Sequence, residues 1–400
     1  MSGFAATGPH VLRRMNATAV LGALRASAGG TARVADLMGA TGLSRPAVTR
    51  ALGLLADAGI VEFFEGNDSR VGRPAVRARF RAELGHVAGI DVGPHKVLVM
   101  ITDLAGNVRA QHRVVGPPAQ TGPELAGLLR TTLVEAADEA GVAPGDLWAV
   151  GVGTPGVVDH ERGEVVLAPS IPGWAGVSLL AELREWLGCP VHIDNDVNLA
   201  VVAERWRGET SDNLLFVQWG ERIGSGIVIG GKPYRGANSA SGELGFLDLV
   251  TPIDAEPPQA SDGLGSFERL VGARAILGLA VERCAGLRAA LEHGDIAPLF
   301  TAAEGGDADA VATVDVVAAR FARGLAAQLL ILDPGLVVVG GGVSRAGTVL
   351  FDAVRRHLRR LLLVPVELRV SALREQGVAL GAVRMALDSA ERRLAKDTAA

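Results

Sequence analysis

Glycines at positions 220, 224 and 226 fall between the apolar runs Leu214–Trp219 and Ile227–Ile229, a spacing at which backbone N–H groups converge on a bound anion. The segment reads as a buried strand, a turn over Gly220–Gly226 and a strand leaving it. Glu221 lies inside that turn and would face the same anion. Two unit charges about 4 Å apart repel by roughly 4 kcal/mol at an effective dielectric near 20, which a phosphoryl-transfer site would not normally carry.

The elements that must position this turn follow from pattern. From His86 onward, apolar strands alternate with Ala/Leu-rich helices and Gly-rich turns, which predicts an α/β body. Val87–Asp91 reads as a strand ending in Gly93, Val97–Ile101 as its hairpin partner, and Trp148–Gly153 as a third strand ending in Thr154-Pro-Gly156. Leu179–Leu187 reads as an amphipathic helix and Val191–Ile193 as a strand, and Asp194-Asn-Asp-Val-Asn198 caps a helix running to Arg207. Gly335–Val339 is a further buried strand, followed by Gly340-Gly-Gly342. The turns fall after strands, where open sheets of this kind place ligands.

The first eighty residues follow a different pattern. Asn16–Arg25 places Ala17, Val20, Leu21 and Leu24 at helical spacing, and Ala28-Gly-Gly30 ends that helix. Thr31 is placed to cap a second helix through Met38, Gly39–Leu43 to turn, and Ser44 to cap a third with Pro46 in its first turn. Val48, Leu52 and Leu55 form the buried stripe of that third helix, and Arg45, Thr49 and Arg50 occupy its other face, short polar and cationic groups fitted to base edges and phosphates in a major groove. Ile60–Phe64 and Ala75–Phe80 then read as a two-stranded ribbon, giving the layout of a winged helix-turn-helix. Arg70, Arg73, Arg77 and Arg79 cluster on the ribbon, where backbone or minor-groove contact is expected.

Charge supports the division. Residues 1–80 hold ten Arg, no Lys and five Asp or Glu, whereas the chain as a whole has a net charge of −5. A basic head on an acidic body points to a polyanion partner for the head alone. Four hundred residues exceed one ordinary core, so two or three domains are expected. No apolar run reaches the roughly 18 residues of a membrane span and no signal pattern opens the chain, so a cytoplasmic location with no membrane partner is expected. Cys189 and Cys284 lie far apart, which rules out a disulfide framework and a Cys-rich zinc site.

Several stretches, in order, resemble the ROK family of repressors and sugar kinases. They are Gly151-Val-Gly-Thr-Pro-Gly156, Ala168-Pro-Ser-Ile-Pro-Gly-Trp174, Ile193-Asp-Asn-Asp196, Tyr234-Arg-Gly-Ala-Asn238, Gly242-Glu-Leu-Gly245 and Gly340-Gly-Gly-Val-Ser344. The resemblance runs from about Val11 to Met385 and, with the head attached, is to a repressor of the xylose-repressor type. It implies an α/β fold in which an N-terminal winged helix-turn-helix (1–82) precedes a two-lobed, actin-like (ribonuclease-H-like) sugar-kinase body (83–400). Lobe one is expected over about 86–198 plus a C-terminal helix, and lobe two over about 199–375.

Carried onto this chain, the resemblance makes Asp196 the family's base position, set by Asn195, and places Glu243 and Glu268 on sugar hydroxyls. Ser170 stands where the family usually has asparagine. The phosphate elements depart further. Asp91-Val-Gly-Pro-His-Lys96 replaces the family's Asp-x-Gly-Gly-Thr-Lys, so Asp91, Gly93 and Lys96 persist while Pro94 removes a donor and His95 replaces a small hydroxyl. Gly220-Glu221-Arg222 replaces Gly-Thr-Gly, whereas Gly340–Gly342, with Gly341 at its centre, is intact. The family's zinc histidine is Phe246 here, and its cysteines align with Gln259, Ser261 and Ser266, none a competent ligand.

The expectation is therefore a transcriptional repressor that docks on palindromic operator DNA as a homodimer or homotetramer and senses a sugar-like effector. Neither ATP, magnesium nor zinc is expected, and no catalysis. The alternative is an ATP-dependent sugar kinase with an appended DNA-binding module.

Overall fold

The computed structural model describes residues 9–65, 76–117, 120–208, 211–252, 254–256 and 263–397. In the head, the apolar stripe Ala17, Val20, Leu21 and Leu24 builds α1 (Pro9–Ala26), which starts upstream of the expected Asn16. The expected second helix is corrected at its start, because Thr31–Arg33 is strand β1. Ala32 is buried there against Ala78, and only then does α2 (Val34–Thr41) begin, with Asp36 accepting the Arg33 N–H at 3.0 Å. Gly42 closes α2 in the left-handed region at φ 69°, and Ser44 precedes α3 (Arg45–Asp57), with Pro46 in its first turn. β2 (Val61–Glu65) and β3 (Val76–Phe80) complete an antiparallel sheet in the order β1-β3-β2, so the ribbon has three strands rather than two. Three residues of β1 were too few to show as a strand in the sequence pattern. Arg70 and Arg73 lie outside the described residues.

Lobe one consists of β4 (His86–Gly93), β5 (Lys96–Asp103), β6 (Val108–Val115), α4 (Gly122–Ala140), β7 (Leu147–Thr154), the hairpin β8 (Val157–Asp159) and β9 (Glu164–Leu167), α5 (Leu179–Leu187) and β10 (Val191–Asn195). β10, β7 and β4 run parallel, and β5 and β6 continue the sheet antiparallel, in the order β10-β7-β4-β5-β6. Trp148–Gly153 is thus part of the fourth strand of the lobe. β6 is an edge strand whose Arg, Gln and His residues hid it from a search for apolar runs. α6 (Asp196–Arg207) then leads to lobe two.

Lobe two repeats the same topology. β11 (Leu214–Trp219) is central, β12 (Ile223–Ile229) and β13 (Lys232–Tyr234) lie antiparallel on one side, and β14 (Leu336–Gly340) and β15 (Glu367–Val370) lie parallel on the other. Helices α7 (Glu268–Val271), α8 (Ala273–Arg283), α9 (Arg288–Leu291), α10 (Ala297–Glu304), α11 (Ala308–Leu332) and α12 (Gly347–Leu361) complete it. Two lobes with one shared strand order form the two-lobed, actin-like arrangement expected.

The chain returns to lobe one through α13 (Gly377–Asp397), which lies so close to the sheet that a Cβ on Gly151 would sit 2.1 Å from the Ala382 carbonyl oxygen. The head is not a loose appendage. Arg25 of α1 donates to the Leu104 carbonyl at 2.8 Å and pairs with Glu391 of α13, and the buried side chains of the head form one continuous apolar core with Val87, Met100, Val383 and Leu387.

Candidate functional site

Strand ends from both lobes converge on one cleft. From lobe one, β10 ends in Asp194 and Asn195, and α6 starts at Asp196. Asn195 is fixed in place: its side-chain oxygen accepts the Val197 and Asn198 N–H groups at 2.9 and 3.1 Å, and its amide donates to the Gly156 carbonyl at 2.9 Å. It is therefore the N-cap of α6 and ties that helix to the turn after β7. Asp194 is almost fully buried at 1% exposure and receives both Nε and Nη2 of Arg235, the former at 2.8 Å. Arg235 comes from lobe two, so this pair joins the lobes. Sequence reasoning quoted the motif around Arg235 but gave the residue no role; its buried acidic partner, far away in sequence, is the missing signal.

Asp196 itself points into the cleft. Burial, then the Asp91 charge, pushes its carboxyl up to about 7, with Glu243 adding and the Val197 N–H and Lys96 opposing. Asp91 is also raised by burial, against the pull of Lys96, whose ammonium sits 2.7 Å away. From lobe two, Glu243 is exposed at the surface, and its carboxyl is raised first by desolvation and then by Glu268, with Arg222 countering. Asp196 thus feels the charges of Asp91, Glu243 and Lys96. Ser170 is half-buried in the turn after β9, a turn held by Trp174 donating to Thr154 Oγ1 at 2.7 Å. Phe246 lies beyond Glu243 and is exposed.

Glu268 departs from its expected placement on a sugar. It is buried, and its two oxygens accept the Ile223 and Gly265 N–H groups at 2.9 and 2.8 Å. Those bonds hold the start of β12 and the loop before α7. Arg222, which replaces a family glycine, stands beside it at 3.7 Å and also donates to the Gly263 carbonyl.

The phosphate turn is the largest correction. Gly220–Arg222 alone connects β11 to β12, and Ile223–Gly226 belongs to the strand. None of glycines 220, 224 and 226 has a positive φ. Gly226 is required by close packing instead: a Cβ there would lie 2.6 Å from the Val197 carbonyl of α6. Glu221 is exposed at the rim of the adjoining space and pairs with Arg274 at 2.7 Å, so its charge is partly matched and the repulsion toward an anion is weaker than an isolated carboxylate would give. Gly341, at φ 88°, is likewise fixed by structure, since a Cβ would meet the Trp219 carbonyl at 2.4 Å.

The space beside these turns has a volume of about 860 Å³ and contains the carboxylates Glu221, Asp295 and Glu304 against Arg345. That balance does not favour a polyphosphate. The residues at the family's zinc positions do not fit a zinc ion either: Phe246 offers carbon and Ser266 a hydroxyl, and Gln259 and Ser261 lie outside the described residues. Among the described residues no group of three His, Cys, Asp or Glu side chains is placed to hold a metal.

A second surface lies on the head. With Val48, Ala51, Leu52 and Leu55 buried, α3 presents Ser44, Arg45, Thr49 and Arg50 to solvent. Of the expected ribbon arginines, Arg79 is engaged by Glu62 at 2.7 Å and Glu83 at 3.0 Å, which removes it from the free cations of the head. The pairing across β2 and β3, with Glu62 opposite Arg79, explains this.

The ROK family profile matches residues 87–389. The xylose repressor of Caldicellulosiruptor bescii is 26% identical over 333 residues, covering 80% of this chain and 82% of that one. The glucokinase of Thermotoga maritima is 31% identical over 285 residues, covering 66% and 87%. A solved ROK family transcriptional regulator, a homologue of the E. coli MLC protein, superposes with a TM-score of 0.78 over 98% of this chain and 99% of its own, at 20% identity. The kinase relative covers two thirds of this chain, whereas the regulator structure spans nearly all of it.

Proposed function

The chain belongs to the ROK family, and from that premise we propose that it is a DNA-binding transcriptional repressor whose body binds a sugar-like effector without phosphorylating it. The observation that carries this reading is the recognition surface of α3, where Arg45, Thr49 and Arg50 are exposed on a helix whose opposite face is locked into a core shared with the body. Arginine reads guanine bidentately in a major groove, and threonine meets either base edge or the thymine methyl. A homodimer or homotetramer would match the two-fold symmetry of a palindromic operator.

The cleft supports the effector role. Asp196 and Glu243 are acceptors for hydroxyl groups in a space too acidic to attract a polyphosphate, and Lys96 is already held by Asp91. The signal has a continuous path: the effector touches Asp196 at the start of α6, α6 packs along α13, and α13 holds Arg25 of the head through Glu391. An effector shifts DNA affinity only by its differential affinity for two closure states.

One observation favours the alternative, a sugar kinase with an appended head. A buried carboxylate near pH 7 is well poised as a general base. Coupled-enzyme turnover with ATP and a panel of aldoses tests it. Robust phosphorylation lost in Asp196→Asn defeats the repressor-only reading; absence of turnover, together with sugar-dependent release of a selected DNA duplex, supports it.

A further inference from the structure

Beside α6 lies a groove of about 530 Å³. Its apolar walls are Leu199, Val202 and Trp206 of α6, Pro233 of β13 and Met385 of α13. Arg205, Arg235, Arg384 and Asp388 supply its polar groups. The volume falls within the roughly 300–1,000 Å³ range of small-molecule sites, and the mixture of carbon walls with few convergent polar groups is their usual chemistry.

The donors are only partly matched. Arg205 gives Nη2 to Asp212 at 2.9 Å. Arg235 commits Nε and Nη2 to Asp194, and Arg384 is held by Asp388 and Glu391. A guanidinium carries five N–H donors in a planar fork, so each retains donors beyond these pairs. A carboxylate is the acceptor that fits an arginine fork with two parallel bonds.

We propose that this groove is a second ligand site, for a small organic carboxylate with an apolar body. The site is independent of the DNA reading. Its walls come from the lobe-joining helix α6, from α13 of lobe one and from the β12–β13 hairpin of lobe two, so an occupant bridges the two lobes. Arg235 is shared between the groove and the cleft, since it also holds Asp194 two residues before Asp196. Binding in the groove and in the cleft is therefore coupled, and the coupling is reciprocal.

The test uses 6-fluoro-2-naphthoate with the full chain, followed by fluorine NMR line broadening. Saturable binding is expected, with the neutral 6-fluoro-2-naphthalenemethanol at least about tenfold weaker. Val202→Trp and Met385→Trp fill the groove and each weakens binding by about tenfold or more. Arg205→Met, at a partly exposed side chain that carries no core packing, weakens it several-fold and keeps the test open if a filled variant does not fold by circular dichroism. Asp196→Asn, in the cleft, shifts direct binding by less than the groove variants do. Absence of saturable binding at millimolar probe overturns the proposal, as does equal binding of the neutral analogue or unchanged affinity in the groove variants. Loss of binding in Asp196→Asn alone would place the probe in the cleft and overturn it equally.

Discussion

Replacing Asp196 by Asn should stabilise the protein at alkaline pH, and the size of the effect follows from the cleft. The Asp196 carboxyl is raised from 3.8 to about 7, first by burial and then by Asp91. Between those values the folded chain keeps a proton that the unfolded chain has lost. Stability from this group therefore falls as pH rises through that window, and the penalty is complete above pH 7. Three units correspond to a ceiling of about 4 kcal/mol, and partial access to solvent together with coupling to Asp91 brings the realised value to about 2–3 kcal/mol. Asn mimics the neutral acid and removes the penalty. Urea denaturation of parent and variant at pH 5 and pH 8.5 measures it, because titrating groups not coupled to Asp196 contribute equally to both chains and cancel in the difference. Part of the penalty is already present at pH 5, so the variant should gain on the parent by about 1–2 kcal/mol between the two pH values. Equal stability at both, or a variant weaker at pH 8.5, would refute the placement of Asp196 beside the buried Asp91.

Other consequences are equally open to measurement. Arg235→Met leaves Asp194 buried without its partner and should cost about 3–5 kcal/mol by denaturation, whereas Arg235→Met combined with Asp194→Asn should recover much of that loss. Gly151→Ala forces a methyl group to 2.1 Å from the Ala382 carbonyl, so the thermal midpoint should drop by at least about 8 °C or the protein should fail to accumulate. Arg50→Ala should weaken a selected DNA duplex by about 1–3 kcal/mol in fluorescence anisotropy, with discrimination between bases relaxed. Arg25→Ala removes the Glu391 pair and should speed proteolysis between head and body while leaving the cleft's ligand affinity unchanged.

The elements most legible in the sequence are those buried on one consistent face. α5 begins and ends where its periodicity places it, and β4, β11 and β14 follow their apolar runs to within a residue or two. β1 escaped because Thr31–Arg33 is strand only through pairing with residues 77–79, far along the chain. The misreading of Gly220–Gly226 has a clear physical source: glycines that admit a phosphate and glycines that admit a helix look alike, and only the position of the Val197 carbonyl separates them. Site residues were legible where local capping explains them, as with Asn195. Arg235, Arg222 and Arg25 act through partners at least 40 residues away, so their roles arise only from the folded chain.

The most direct test of the central claim is fluorescence anisotropy of the full chain on a duplex selected from random sequence, with and without a panel of aldoses. The account predicts salt-sensitive, sequence-specific binding that Arg50→Ala weakens about tenfold or more, and that at least one sugar shifts in the parent but not in Asp196→Asn. Sequence-independent binding unaffected by Arg50→Ala, or specific binding that no aldose shifts, would contradict it.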